Sequence, residues 1–201
     1  MKITKTLQPL SRAAWRAWLL KHAKVEKEVW LVYPRKASGR PRISYNDAVE
    51  EALCFGWIDS TVKTLDAQHV VQRFSPRKSG SGYSQTNQER LRRLIKQHKV
   101  SKDVLKNLED IKPEEYELPA DIRRALQANP KAWANFQRYS PSYQRIRAAY
   151  VDSGRRRPGQ FQKRLRHLVS MTEQNKQFGF GIESYYSGSD HGFCSLTDDL
   201  W

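Results

Sequence analysis

The chain has 201 residues and a formal net charge of +15 at pH 7, from 36 Lys and Arg against 21 Asp and Glu. That length suits one domain, or one domain with a helical extension, and the charge excess points to polyanions as partners, nucleic acid first. No stretch approaches the ~20 apolar residues that span a bilayer, and the opening MKITKTLQPLSRAAW has no signal-peptide pattern, so a cytoplasmic protein without a membrane span is expected.

Ser11 is placed to cap a helix that carries Trp15, Trp18, Leu19 and His22 on one face. Glu28 to Tyr33, EVWLVY, has the β-branched and aromatic density of a strand, which Pro34 limits. Arg35 to Arg42 reads as a loop. Ser44-Tyr45-Asn46-Asp47 is a capping box for a short helix through Leu53, and Gly56 suits its C-terminal end. Trp57 to Leu65 and His69 to Ser75 form a hairpin around the turn Asp66-Ala67-Gln68. Strict alternation sends Ile58, Ser60, Val62 and Thr64 one way and Trp57, Asp59, Thr61 and Lys63 the other. Arg77 to Tyr83 is a Gly/Ser-rich loop. Thr86-Asn87-Gln88-Glu89 reads as a second capping box, ahead of a helix with Leu91, Leu94 and Ile95 on its apolar face. Ser101 caps a further helix, and Lys112 to Glu117 is an acidic linker. From Leu118 the pattern is helical throughout, with restarts at Asn129-Pro130 and Ser140-Pro141 and breaks at Gly154 and Pro158-Gly159. The expected fold class is α+β: a small antiparallel sheet of about three strands packed by helices, then an all-helical C-terminal region. The expected divisions are residues 1–110, 118–177 and a polar, acidic, loosely held tail at 187–201.

One stretch reads as a site: Phe55-Gly56-Trp57-Ile58-Asp59-Ser60, followed by Arg73-Phe74-Ser75-Pro76-Arg77-Lys78. Its ligand-binding candidates are Trp57 as a stacking platform, Asp59, Ser60 and Ser75 as hydrogen-bonding groups, and Arg73, Arg77 and Lys78 as anion contacts. Trp57 and Phe74 have a competing reading as packed core. A second signal is charge density. Residues 73 to 99 hold eight basic residues against Glu89 alone, and Arg155, Arg156 and Arg157 begin another acid-free run. Arg90, Arg92, Arg93 and Lys96 fall opposite the apolar helix face and are expected in solvent. With Arg155, Arg156 and Arg157 they are the nucleic-acid-binding candidates.

Catalytic signals are sparse. No nucleophile elbow, phosphate loop or dinucleotide fingerprint occurs, so an enzyme is not the leading reading. Asp59 and His69 lie in facing strands and are the one acid–base couple the pattern offers, a pairing that is commonly structural. The two cysteines, Cys54 and Cys194, have no metal-ligand spacing; Cys54 reads as core, and a reducing compartment fits. No catalytic residue, metal or cofactor is expected.

The motifs FGWIDS and RFSPRKSGSGYSQTNQERLRRLI resemble the YdeI/OmpD-associated, or bacteriocin-protection, family of bacterial proteins. Trp15 to Leu19 is similar to the family's Trp-x-x-Trp-Leu helix, Ser44 to Leu53 to its Ser-Tyr-x-x-Ala-Val-x-x-Ala-Leu helix, and LPADIRRALQANPKAWANFQRYSPSYQR to its helical region. The likeness runs over roughly residues 10 to 177. Gln160 and Phe161 stand where the family pattern has Thr-Arg. The resemblance implies a binding or interaction module in stress or bacteriocin tolerance. The residues themselves favour a basic protein that binds DNA, RNA or another polyanion through its hairpin and following helix.

Overall fold

A computed structural model describes residues 2–35, 39–78, 80–108, 111 and 116–186. The chain divides into two units, an N-terminal one up to residue 111 and a C-terminal one from residue 112. The expected tail at 187–201 and most of the expected linker at 112–117 lie outside the described residues.

The N-terminal unit is α+β. Its strands are β1 (Thr6–Leu7), β2 (Val29–Pro34), β3 (Trp57–Thr64) and β4 (His69–Pro76), and its helices are α1 (Arg12–His22), α2 (Tyr45–Cys54), α3 (Gln85–Lys96) and α4 (Lys102–Leu105). The sheet order is β1-β2-β4-β3. β2 and β4 are antiparallel, as are β4 and β3, whereas β1 runs parallel to β2. The sheet is therefore mixed and has four described strands instead of about three antiparallel ones. The added strand is two residues long, too short to leave a periodic pattern.

One face of this sheet carries the core. Val29, Leu31 and Tyr33 of β2 and Val70 and Phe74 of β4 pack with Trp15 and Leu19 of α1, Ala48, Val49, Ala52 and Leu53 of α2, and Leu91 and Leu94 of α3. Cys54 is buried in this core, where burial pushes its thiol up to about 11. Ser44 caps α2 through the Asp47 amide at 3.0 Å, and Asp47 answers by accepting from the Ser44 hydroxyl at 2.9 Å. Past α2, Gly56 takes φ +73, a left-handed turn open to glycine at little strain, and delivers Trp57 to the sheet. α3 starts earlier than the Thr86 box suggests. Its cap is Ser84, whose hydroxyl accepts from the Asn87 amide at 3.3 Å, so Thr86 lies inside the helix.

The C-terminal unit is helical: α5 (Ala120–Gln127), α6 (Pro130–Arg138), α7 (Pro141–Asp152), a 3-10 turn (Ser153–Arg156), α8 (Gln160–Glu173) and a final 3-10 turn (Glu183–Tyr185). Asn129 and Ser140 cap α6 and α7, each followed by a proline at the first helical position, where no amide is needed. The core joins Ile122 and Leu126 of α5, Phe136 of α6, Tyr143 and Ile146 of α7, and Leu168 of α8. No helix among the described residues is long and apolar enough to cross a membrane.

Candidate functional site: the two faces of the hairpin

A bulge in β3 sorts the motif residues. Asp59 pairs with Phe74 and Val62 with Gln72, so Ser60 and Thr61 together oppose Arg73. The extra residue inverts the expected alternation beyond it. Val62 and Thr64 share the core-side face with Asp59, and Lys63 moves to the outer face with Val71.

On the core side, Trp57 is 1% exposed, its indole donating to the Ala23 carbonyl at 3.1 Å and its ring meeting Trp18 edge-on. It is a packing residue and offers no stacking face, which corrects its assignment as a ligand platform. Asp59 lies at the polar end of this core. Its carboxylate accepts from Gln72 Nε2 at 2.9 Å and from the Tyr45 hydroxyl at 3.3 Å. Burial raises its pKa, against the hydrogen bond from Tyr45 and the charge of Arg90. Gln72 is 2% exposed and Tyr33 5%, and among the described residues neither Gln72 Oε1 nor the Tyr33 hydroxyl has a hydrogen-bond partner. His69 does not join this cluster: its Nδ1 meets Asp66 at 2.9 Å, within the turn. The Asp59–His69 couple is therefore absent, because the turn places a nearer carboxylate beside the imidazole.

The outer face gathers the remaining candidates. Arg73 donates from Nε to Glu28 at 2.6 Å and from Nη1 to the hydroxyls of Ser75 at 3.2 Å and Ser60 at 3.4 Å. Hydrogen bonds from Thr4 and Arg73 hold the Glu28 carboxyl below its usual range. A groove of about 630 Å³ runs beside this edge, lined by Lys24, Lys27, Arg73, Ser75, Lys78 and Ser81, with Glu26 as its acid and Ile58 among its apolar residues. The motif thus splits, with Trp57 and Asp59 on one face and Ser60, Arg73, Ser75 and Lys78 on the other. Arg77 leaves both. Its amide donates to the Gly56 carbonyl at 2.9 Å and its guanidinium stacks 3.9 Å from the Tyr83 ring. Sequence reasoning missed Trp30, which alternation between buried Val29 and Leu31 puts on the outer face, paired with Arg73 and under Lys63 at 5.7 Å. Lys24 and Lys27 were missed as well, since nothing local links the end of α1 to a hairpin formed much later in the chain.

The basic helix differs most from expectation. Arg90 is 4% exposed and donates to Asn87 at 3.0 Å and Asn46 at 2.9 Å. Arg92 is paired with Glu89 at 2.7 Å, and Arg93 with Glu50 of α2. These side chains are not a free basic face, because asparagines and acids of α2 and α3 engage them. Lys96 alone of the four is exposed. In the C-terminal unit Arg155, although exposed, is held by Asp121 at 2.8 Å and Asp152 at 2.7 Å, leaving Arg156 and Arg157 as exposed arginines with no acidic partner among the described residues. Among the described residues no three His, Cys, Asp or Glu side chains come together in a metal-holding group.

Two family models match the chain. One, described as Domain of unknown function (DUF8412), covers residues 7–107, and the other, Bacteriocin-protection, YdeI or OmpD-Associated, covers residues 115–175. No curated protein and no solved structure matches. The expected family likeness is thus confined to the helical unit, while the hairpin motif falls to the other model. The chain belongs to the DUF8412 family by its N-terminal unit and carries a YdeI/OmpD-associated, bacteriocin-protection domain in its C-terminal unit.

Proposed function

We propose that the N-terminal unit binds a polyanion through phosphate contacts in the groove beside the hairpin, nucleic acid being the first partner to test. The observation that carries this reading is the groove lining: four cationic side chains and two serine hydroxyls face one acid. Lys24 reaches Asp103 and Arg73 reaches Glu28, whereas Lys27 and Lys78 have no acidic partner among the described residues. Ammonium groups beside hydroxyls are the usual contacts of a phosphate backbone, and they fix position without reading sequence. The net charge of +15 adds long-range attraction. A cytoplasmic site of action, where nucleic acid is at hand, belongs to this reading. α3 does not, since Arg90, Arg92 and Arg93 are engaged internally.

Fluorescence anisotropy with labelled single-stranded DNA and RNA, at ~50 mM and ~200 mM salt with heparin as competitor, tests the proposal. Binding is expected to weaken steeply with salt, and replacing Lys27 and Lys78 together by glutamine is expected to flatten the log–log salt slope by about 1.5. No binding at the lower salt sinks it.

The Asp59 cluster favours a second reading, a small-ligand module of the kind the bacteriocin-protection description suggests. Two buried polar atoms without partners, Gln72 Oε1 and the Tyr33 hydroxyl, flank a half-buried carboxylate, and an amine- or amide-bearing ligand would satisfy them. A thermal-shift panel of such compounds that stabilises the wild type and Asp59→Asn equally would remove this reading.

A further inference from the structure

The C-terminal unit holds a charge that neither reading uses. Arg147 of α7 is 6% exposed. Its guanidinium carbon lies 5.8, 5.1 and 4.9 Å from the ring centres of Tyr143, Tyr150 and Phe178. Among the described residues no carboxylate pairs with it, and its Nε is sealed from solvent without a hydrogen-bond partner. The tyrosines supply no counter-charge. Burial raises Tyr143 and pushes Tyr186 up to about 12, so both stay neutral at pH 7. Arginine cannot escape by losing its proton. Burial pulls its pKa down from the ordinary value, yet that value starts far above neutrality. The quadrupoles of the rings offset part of the desolvation and leave the charge in place.

A second guanidinium shares one of these rings. Arg164 of α8 lies 4.2 Å from the centre of Tyr150, and its Nη1 donates to the Tyr150 carbonyl at 2.8 Å and the Ser153 hydroxyl at 2.9 Å. It too has no carboxylate partner among the described residues. One turn further along α8, His167 meets the Phe178 ring edge-on at 4.7 Å. The loop closing over the cluster carries Gly179, where a side chain would begin 2.8 Å from both Nη1 and Nη2 of Arg147. Only glycine lets the loop lie this close to the guanidinium, and Ile182 Cδ1 would meet the same side chain at 2.7 Å. Two arginines and an imidazole therefore meet around Tyr150 and Phe178 with no acid paired to them among the described residues, in a unit where Arg155 is held by two aspartates.

We propose that this cluster is an oxyanion site of the C-terminal unit, taking the carboxylate or phosphate group of a small ligand between Arg147 and Arg164 at the partly exposed edge of Tyr150. A guanidinium fork accepts either group in two parallel hydrogen bonds, and a second cation at the same ring holds the remaining oxygen. The site is independent of the hairpin groove, which lies in the other unit.

Thermal unfolding of the full chain in sodium phosphate, sodium acetate and sodium chloride at matched ionic strength tests the assignment. The wild type is expected to gain Tm with the logarithm of phosphate or acetate concentration, and not with chloride. Arg147→Met replaces an unpaired buried charge by an apolar side chain. It is expected to melt no lower than wild type in chloride and to lose the oxyanion response. Arg164→Gln, at a half-buried position, is expected to weaken the response by about tenfold in concentration. Arg166→Gln, which removes an exposed charge from the same helix, retains it. Phosphate acting alone identifies a phosphate ligand and acetate alone a carboxylate, and either supports the site. No difference among the three salts, or an unchanged response in Arg147→Met, overturns it.

Discussion

The N-terminal unit buries acids and surrounds them with arginines, whereas the C-terminal unit buries an arginine and surrounds it with rings. Glu51 of α2 accepts from Arg12 Nε at 2.5 Å and from Arg16 Nη1 at 2.7 Å. Its neighbour Glu50 takes Arg12 Nη1 at 3.1 Å and also Arg93, and Glu89 takes Arg92. Three helices are tied together by carboxylates that have at least one cation each. Arg147 has none. A buried ion pair and a buried lone ion differ in what they are for. The pair recovers in Coulomb attraction much of what it lost in hydration, and breaking it by removing one partner leaves the other charge uncompensated. The lone ion recovers less, so its retention points to a partner that arrives from outside.

The difference breaks or holds most visibly at Glu51. Glu51→Gln leaves the half-buried guanidinium groups of Arg12 and Arg16 facing a neutral amide, and a loss of about 2 kcal/mol is expected. Urea unfolding measures it. Arg147→Met orphans no acid, so its urea midpoint should stay at or above that of the wild type. Equal losses from the two substitutions would mean that both charges are structural and that the contrast between the units is only one of geometry.

A smaller effect sharpens the contrast inside the N-terminal unit. Asp59 is the acid there whose carboxylate is met by neutral donors, Tyr45 and Gln72, with Arg90 acting at a distance. Burial raises its folded-state pKa above the unfolded value. Its contribution to stability is therefore present in full below the unfolded pKa of about 4 and is lost as pH rises through the folded value. Asp59→Asn removes that dependence. The variant should have the higher urea midpoint at pH 7, and the two curves should converge below about pH 4. A midpoint lower than wild type at pH 7 would show that the carboxylate acts as a structural acceptor for its two donors instead of as a destabilised site.

Much of the frame was legible in the sequence, and its limits are physical. Caps were readable because they are local: Ser44, Asn129 and Ser140 bond amides three residues ahead. The hairpin was readable from composition and its turn. Side-chain direction past Asp59 was not, because a bulge depends on how the partner strand lays down its hydrogen bonds, and alternation carries no mark of it. The basic helix was misread for a related reason. Arg90 and Arg93 look like a solvated face until α2 is placed beside them, and their partners Asn46 and Glu50 lie more than forty residues earlier. Arg147 was invisible from the start. On α7 the pattern shows Tyr143, Ile146 and Tyr150 as an apolar face, and an arginine between them reads as surface until Phe178 returns from another segment to cover it.

The smallest effect belongs to the charge cluster that composition made most prominent. Arg155 binds Asp121 and Asp152 and stacks 4.0 Å from Phe161, and hydrogen bonds from it hold the Asp121 carboxyl below its usual range. The three partners are largely in water, where two hydrated ions gain little by meeting and lose side-chain freedom in doing so. Arg155→Gln should leave the urea midpoint unchanged within error at ~150 mM salt, since exposed ion pairs contribute little and salt weakens them further. It should also leave nucleic-acid affinity close to wild type, because its charge already serves two acids. Arg156→Gln and Arg157→Gln remove exposed charges with no acid beside them among the described residues. If Arg155→Gln weakens binding more than those two together, the exposed arginine acts on the polyanion in spite of its aspartates. The rule that separates the two units would then hold for buried charges alone.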